Sequence, residues 1–226
     1  SGTVTAGQLN TIDSGTTEKV DIGNITALGA SDISDLATLN TNNANFNNIT
    51  GVADITLTDN GGSGTEVDFG TLADVVDDSQ TNFKNTVTFK FQAGDTIDID
   101  NSTELGKFVT DIGTSALTLT DQAVTVSGTT LSVTQARAIA ADTTGTVTAS
   151  IDTASRVSAL TALYNPGGGN ETNAWTVVIS SADKTGSTAA NLNTINSATS
   201  VAVDLTEVTA LAASDMSDLQ TLNTNK

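Results

Sequence analysis

The sequence predicts an α/β fold in which parallel strands alternate with short helices, arranged as a repeat solenoid. The first observation is that one piece of sequence occurs twice. Thr5–Asn42 lies over Thr188–Asn225 without a gap, at a spacing of 183 and with 24 of 38 positions identical. Most of the differences are mild, such as Ile22 against Leu205, Ile25 against Val208 and Ile33 against Met216. A chain carrying such a duplication reads as slightly more than one period of a tandem array, whose units bury their cores against neighbours. The second observation is that strand-like alternation and helix-like spacing succeed each other along the period. The third follows from the second: a helix between consecutive strands crosses over the sheet, so the strands pair in parallel.

The helix candidates carry apolar residues three or four apart. They are Ile33, Leu36 and Leu39, then Leu105, Phe108, Val109 and Ile112, then Val157, Leu160 and Leu163. Asp32 followed by Asp35, copied as Asp215 and Asp218, fits an N-cap with a second carboxylate at the third helical position, where unpaired amides and the helix dipole favour negative charge. The strand candidates set Val87, Phe89 and Phe91 against Thr88 and Lys90. Ile97 and Ile99 stand against Asp98 and Asp100, and Val147, Ala149 and Ile151 against Thr148 and Ser150. The apolar face of each strand is expected under the helices and the Thr, Asp and Ser face outside.

A Thr-Leu-Thr-Asp word ends two segments 62 residues apart, Ile55–Asp59 and Leu117–Asp121, with a looser version at Trp175–Asp183. Sub-repeats of about 61 residues divide the chain into 1–64, a divergent unit or inserted subdomain at 65–126, 127–186, and the start of the next period at 187–226. Leu9-Asn10-Thr11 recurring as Leu39-Asn40-Thr41 suggests a half-unit near 30, read as one helix and one strand. The alternative fold is a string of antiparallel β-sandwich adhesin domains, which the Thr-Val alternation alone would permit. The helical segments and the sparse turn signals oppose it. The clearest loops are Asn165–Asn170 and Asn60–Gly64.

The word Thr-Ala-x-x-Leu-Asn-Thr-Ile at Thr188–Ile195, with the later Val203-Asp204 and Val208–Leu211, resembles the tandem repeats of very large cell-surface proteins of marine bacteria and cyanobacteria. Among these is the giant surface protein linked to swimming motility in marine cyanobacteria. The resemblance is clearest in the two terminal copies, weaker over 128–163 and faintest over 65–113. It implies a secreted, extracellular protein at the cell surface with a structural or adhesive role, often calcium-rich, and it brings no catalytic residue.

The candidate metal site is Asp98, Asp100, Ser102 and Glu104, since oxygen ligands at every second position suit a hard cation such as calcium. It is not an EF-hand: Thr103 stands where the loop glycine belongs and Val109 where the bidentate glutamate belongs. The alternative is a strand with solvated carboxylates followed by a capped helix starting near Ser102. Asp74, Asp77 and Asp78, with Asp68, read as the wet face of a helix whose dry side is Leu72, Val75 and Val76. Recurrent Asn10, Asn40, Asn193 and Asn223 read as side chains that satisfy backbone groups at each turn, or that end helices. Outward Thr56 and Thr58, or Thr118 and Thr120, would form hydroxyl rows able to bind a regular glycan if strands stack in register. The alternative is that Thr simply suits a half-exposed strand. Trp175 and Tyr164 could stack on a sugar, although burial of Trp175 is the simpler expectation.

Composition narrows the function. With 26 acidic and 8 basic residues the net charge is −18, which opposes nucleic acid and anionic membranes. No apolar run approaches the roughly 20 residues of a membrane span. Absence of cysteine and histidine removes disulfides, thiolate metal sites and Ser-His or Cys-His catalysis. A carboxylate pair such as Asp98 with Asp100, or Asp77 with Asp78, leaves glycoside hydrolysis as a remote enzyme reading. The expectation is a non-catalytic spacer repeat, monomeric in isolation. Its partners would be neighbouring repeats and a surface glycan.

Overall fold

The computed structural model describes residues 3–58, 66–70, 72, 75, 88–114, 116–164 and 173–224. It is α/β, and among the described residues the paired strands run parallel, as crossover connections require and as an antiparallel sandwich would not give. The chain divides into two compact units, 1–99 with 103–122, and 100–102 with 123–226.

Among the described residues of the first unit the strands are β1 (Val20–Asp21), β2 (Ala27–Asp32), β3 (Phe46–Asn47), β4 (Asp54–Thr58), β5 (Glu66–Asp68), β6 (Thr88–Lys90), β7 (Thr96–Ile99) and β8 (Leu117–Thr118). Alternate strands pair. β2, β4, β6 and β8 form one sheet in that order, while β1 pairs with β3 and β5 with β7. This differs from the expected one helix and one strand per half-unit. Each pass of the chain supplies two strands to two sheets, and several are only two residues long, too short for alternation to register in the sequence.

The helices of this unit described along their whole length include α1 (Ala6–Ser14), α2 (Ile33–Thr41) and α3 (Ser102–Gly113). α2 follows β2 directly because Asp32 is its N-cap, accepting from the Ser34 N–H at 2.8 Å, with Asp35 in the first turn. Its Ile33, Leu36 and Leu39 are buried, as are Leu105, Phe108 and Ile112 of α3. Phe108 meets Phe69 edge to face, with ring centroids 5.1 Å apart. α1 starts on a reciprocal cap: Thr5 Oγ1 accepts from the Gln8 N–H while Gln8 Oε1 accepts from the Thr5 N–H.

The second unit holds β9 (Ala123–Leu131), β10 (Val147–Ile151) and β11 (Ala174–Thr176), with α4 (Val133–Asp142), α5 (Val157–Leu160), α6 (Ala189–Asn196) and α7 (Met216–Thr224). β10 pairs with β9 on one side and β11 on the other. Its alternation is as predicted: Val147, Ala149 and Ile151 are buried, Thr148 and Ser150 exposed. β9 bulges, so that Thr125 and Thr130 face Thr148 and Ser150. Gly128 lies in this bulge at φ +62°, and a Cβ there would run into the Asp100 carbonyl, so glycine is required. α5 continues into a 3₁₀ turn at Thr161–Leu163 that completes the predicted Val157, Leu160, Leu163 stripe. No helix among the described residues is long and apolar enough to cross a membrane.

Candidate functional site

The candidate cation segment spans a strand end and a helix start. Asp98 is half-buried on β7 between the fully buried Ile97 and Ile99, Asp100 is exposed just beyond the strand, Ser102 opens α3 and Glu104 lies in its first turn. Asp100 Oδ1 accepts from the Asn101 side-chain amide at 2.9 Å. Among the described residues no three Asp, Glu, His or Cys side chains converge into a group able to hold a metal ion. Asp74, Asp77 and Asp78, the loops 60–64 and 165–170, and Val76 and Val87 lie outside the described residues. Leu72 and Val75 are buried, as the dry side of that segment requires.

The polar residues the structure does bring together tie successive passes of the chain. Asn10 Nδ2 donates to the Asp35 carbonyl at 2.9 Å, and Asn193 Nδ2 to the Asp218 carbonyl at the same distance. The Ala6 N–H donates to Ser31 Oγ (2.9 Å) and the Ala189 N–H to Ser214 Oγ (3.0 Å). These ties join residues 25 apart and are repeated at the 183-residue spacing, so Asn10 and Asn193 serve backbone groups as expected. Asn40 is buried and Asn223 exposed.

A second ladder runs through glutamine. Gln92 Nε2 donates to the Leu57 carbonyl (3.2 Å), Gln122 Nε2 donates to the Gln92 carbonyl (3.0 Å), and buried Asp95 accepts from the Gln92 N–H (3.0 Å). In the second unit Asn173 Oδ1 accepts from the Val147 N–H, and Thr199 Oγ1 donates to the Trp175 carbonyl. Asp183 Oδ2 caps α5 at the Val157 N–H (2.9 Å), with the Arg156 guanidinium 3.6 Å from its other oxygen. The sequence reading missed the glutamine and Asn173–Thr199 ladders, because partners 24 to 35 residues apart show no local pattern.

The expected threonine rows are corrected by the register. Thr56 lies beside Lys90, and Lys90 beside Thr118, so that row is broken by a lysine whose Nζ is 3.0 Å from Asp54 Oδ1. Thr58, expected to point outward, is buried. A hydroxyl row does form in the second unit, where exposed Thr130, Ser150 and Thr176 stand side by side on β9, β10 and β11. Trp175 is buried and Tyr164 partly exposed.

Two exposed aspartates occupy equivalent turns in the two copies. Asp21 accepts from the Asn48 side-chain amide (2.9 Å) and the Gly23 N–H (3.0 Å), which hold its carboxyl below the ordinary value. Asp204 accepts from the Thr206 hydroxyl and the Thr206 N–H, with the same effect. Burial pushes Asp142 upward. Asp21 and Asp204 are thus turn aspartates, each bound to the loop it sits in. A further feature is an apolar groove of about 340 Å³ between α6 and α7, lined by Leu192, Leu205, Leu219 and Leu222 among others. Comparison with protein-family models, with curated proteins and with solved structures gave no match to this chain.

Proposed function

We propose that this chain is a structural repeat of a secreted cell-surface protein, a non-catalytic solenoid spacer whose successive passes stack on one another. The observation that carries the reading is the repetition of the same interpass ties at the 183-residue spacing: Ala6 to Ser31 and Asn10 to Asp35, then Ala189 to Ser214 and Asn193 to Asp218. Strand partners lie between 20 residues apart (Thr130 with Ser150) and 34 apart (Asp54 with Thr88), the spacing of one pass of chain. In such an array stability is a sum of unit and neighbour terms, and the function is to hold a length. The net charge of −18 keeps neighbouring arrays apart and soluble.

The test is a series of chains carrying one, two and three 183-residue periods. Scattering should show maximum dimension rising linearly with period number, and denaturant unfolding should steepen as neighbour terms accumulate. Periods that unfold independently, at a midpoint unchanged by their number, would overturn the stacking. Surface location is tested by protease treatment of intact cells, which should release fragments of this sequence. Calcium binding by Asp98, Asp100, Ser102 and Glu104 is tested separately. A rise in melting temperature with calcium that equimolar magnesium does not reproduce would assign a specific site, whereas equal shifts would reduce the effect to screening of acidic repulsion.

A second reading, adhesion to a surface glycan, is favoured by the Thr130, Ser150, Thr176 row. Replacing all three by Glu should abolish retention on a polysaccharide column if that row is the contact.

A further inference from the structure

The groove between α6 and α7 has a counterpart that is already filled. Moved by 183 residues, Leu192, Leu205, Leu219 and Leu222 become Leu9, Ile22, Leu36 and Leu39, all of them buried. In the last copy only Leu192 is fully buried, the other three are half-buried, and Met216 is 71% exposed where its counterpart Ile33 is 3% exposed.

In the first copy the segment after α2 pairs back onto the motif. After α2 the chain returns through Phe46, Ile49 and Val52, all buried. β3 pairs in parallel with β1, and the Ile22 N–H donates to the Asn47 carbonyl (3.1 Å). Asn48 Nδ2 donates to Asp21 (2.9 Å), the Ala53 N–H donates to the Thr26 carbonyl (2.8 Å), and β4 then pairs with β2. The equivalent receiving edge in the last copy is Val203–Leu205 and Ala210–Asp215. There Asp204 and Ala210 are exposed, and Leu211 is 36% exposed where Leu28 is 2%.

We propose that the α6–α7 groove docks a segment of the Ala44–Thr58 type. That segment would seat an aromatic anchor at the place of Phe46 and aliphatic anchors at those of Ile49 and Val52, and add its strand in parallel to Ala210–Asp215. The inference rests on the stacking reading and names the contact through which stacking continues. Charge favours the same occupant. Ala44–Thr58 carries one charged residue, Asp54, so docking brings little repulsion to a chain of net charge −18. A second whole copy is a poor occupant, because its own Phe46, Ile49 and Val52 are already buried.

The experiment fuses Ala44–Thr58 after Lys226, the position equivalent to Asn43, and follows oxidation of Met216 by dilute peroxide. Met216 is the chain's single methionine, so mass spectrometry reads it without ambiguity. Amide exchange of Leu219 and Leu222 is measured in parallel. The expected result is a fall of about tenfold in both rates, reversed when Phe46 and Ile49 of the appended segment are changed to Asp. Equal rates with the native and the Asp-substituted extension would overturn the proposal. So would protection of Met216 in the unextended chain that grows with protein concentration, which assigns the groove to a second copy. Failure of the stacking reading shows separately: independent unfolding in the period series, with Met216 still protected by the extension, leaves the groove as a peptide site without an array.

Discussion

In the first copy of the duplicated sequence Ile12 is 52% exposed, while its counterpart Ile195 in the last copy is fully buried. At the other side of the motif the relation inverts, with Ile33 buried and Met216 exposed. The sequences are nearly the same, so the difference lies in the neighbours. The last copy has α5 and its 3₁₀ extension packed on α6, and the first copy has Phe46–Val52 following α2. Each copy is thus covered on one side, and the two together show what a fully covered one would bury. Burial of this motif is therefore set by the segments that precede and follow it in the chain more than by the motif's own sequence.

The copies also exchange small residues in compensation. A Cβ on Gly29 would lie 2.7 Å from Thr3 Oγ1. In the last copy the glycine's counterpart is Ala212 and the threonine's is Gly186, so the methyl has changed partner without crowding. The backbone bond is kept in both, Gly29 N–H to the Val4 carbonyl and Ala212 N–H to the Ser187 carbonyl, each at 2.9 Å.

The largest expected contrast is Leu36→Ala against Leu219→Ala. The first removes a fully buried side chain and should cost about 2–5 kcal/mol, the second under about 1 kcal/mol, read from denaturant unfolding of the unit concerned. Equal costs would mean that the α6–α7 groove is closed in solution. Next, Ile195→Ala should cost about 2–4 kcal/mol while Ile12→Ala stays within about 0.5 kcal/mol, reversing which copy is the sensitive one. Asn10→Ala and Asn193→Ala each remove the same tie to a backbone carbonyl. Each should cost about 1 kcal/mol, visible as faster amide exchange in α2 or α7. Gly29→Ala alone should cost about 1 kcal/mol, and Thr3→Gly added to it should recover most of that loss, measured as a double-mutant cycle.

The smallest effect is on pH dependence. Hydrogen bonds lower the folded-state pKa of Asp21 and Asp204, so their contribution is present above the unfolded value of about 3.9 and is lost as pH falls through the folded value. Asp21→Asn and Asp204→Asn should each flatten the acid limb of melting temperature slightly and converge with the parent at low pH. Asp142 runs the other way: burial raises its pKa, so its penalty is present at neutral pH and relieved in acid.

Much of the local structure was legible in the chain. Asp32 as an N-cap, the stripes Ile33, Leu36, Leu39 and Leu105, Phe108, Ile112, and the alternation of Val147–Ile151 all follow from short-range periodicity that one element's geometry imposes. α1, α4 and α6 announced themselves through Thr5 with Gln8, Ser132 with Gln135 and Thr188, caps the apolar-stripe reading passed over. The two-strand pass was not legible, because Val20–Asp21 and Phe46–Asn47 are too short to alternate. Of the proposed cation residues, the sequence supplied their order along a strand and into a helix, but convergence is a property of three dimensions.

By itself, then, the sequence determined the 183-residue duplication, the parallel α/β class and the inward stripes of α2, α3 and β10, since these depend on spacing along a regular backbone. Tertiary structure alone decided which copy of a repeated leucine is buried, that Thr58 turns inward while Thr130, Ser150 and Thr176 align, and where Asn10, Gln92 and Gln122 find their partners. Those outcomes depend on what lies one pass of the chain away. A residue's spacing from its own neighbours carries no record of that.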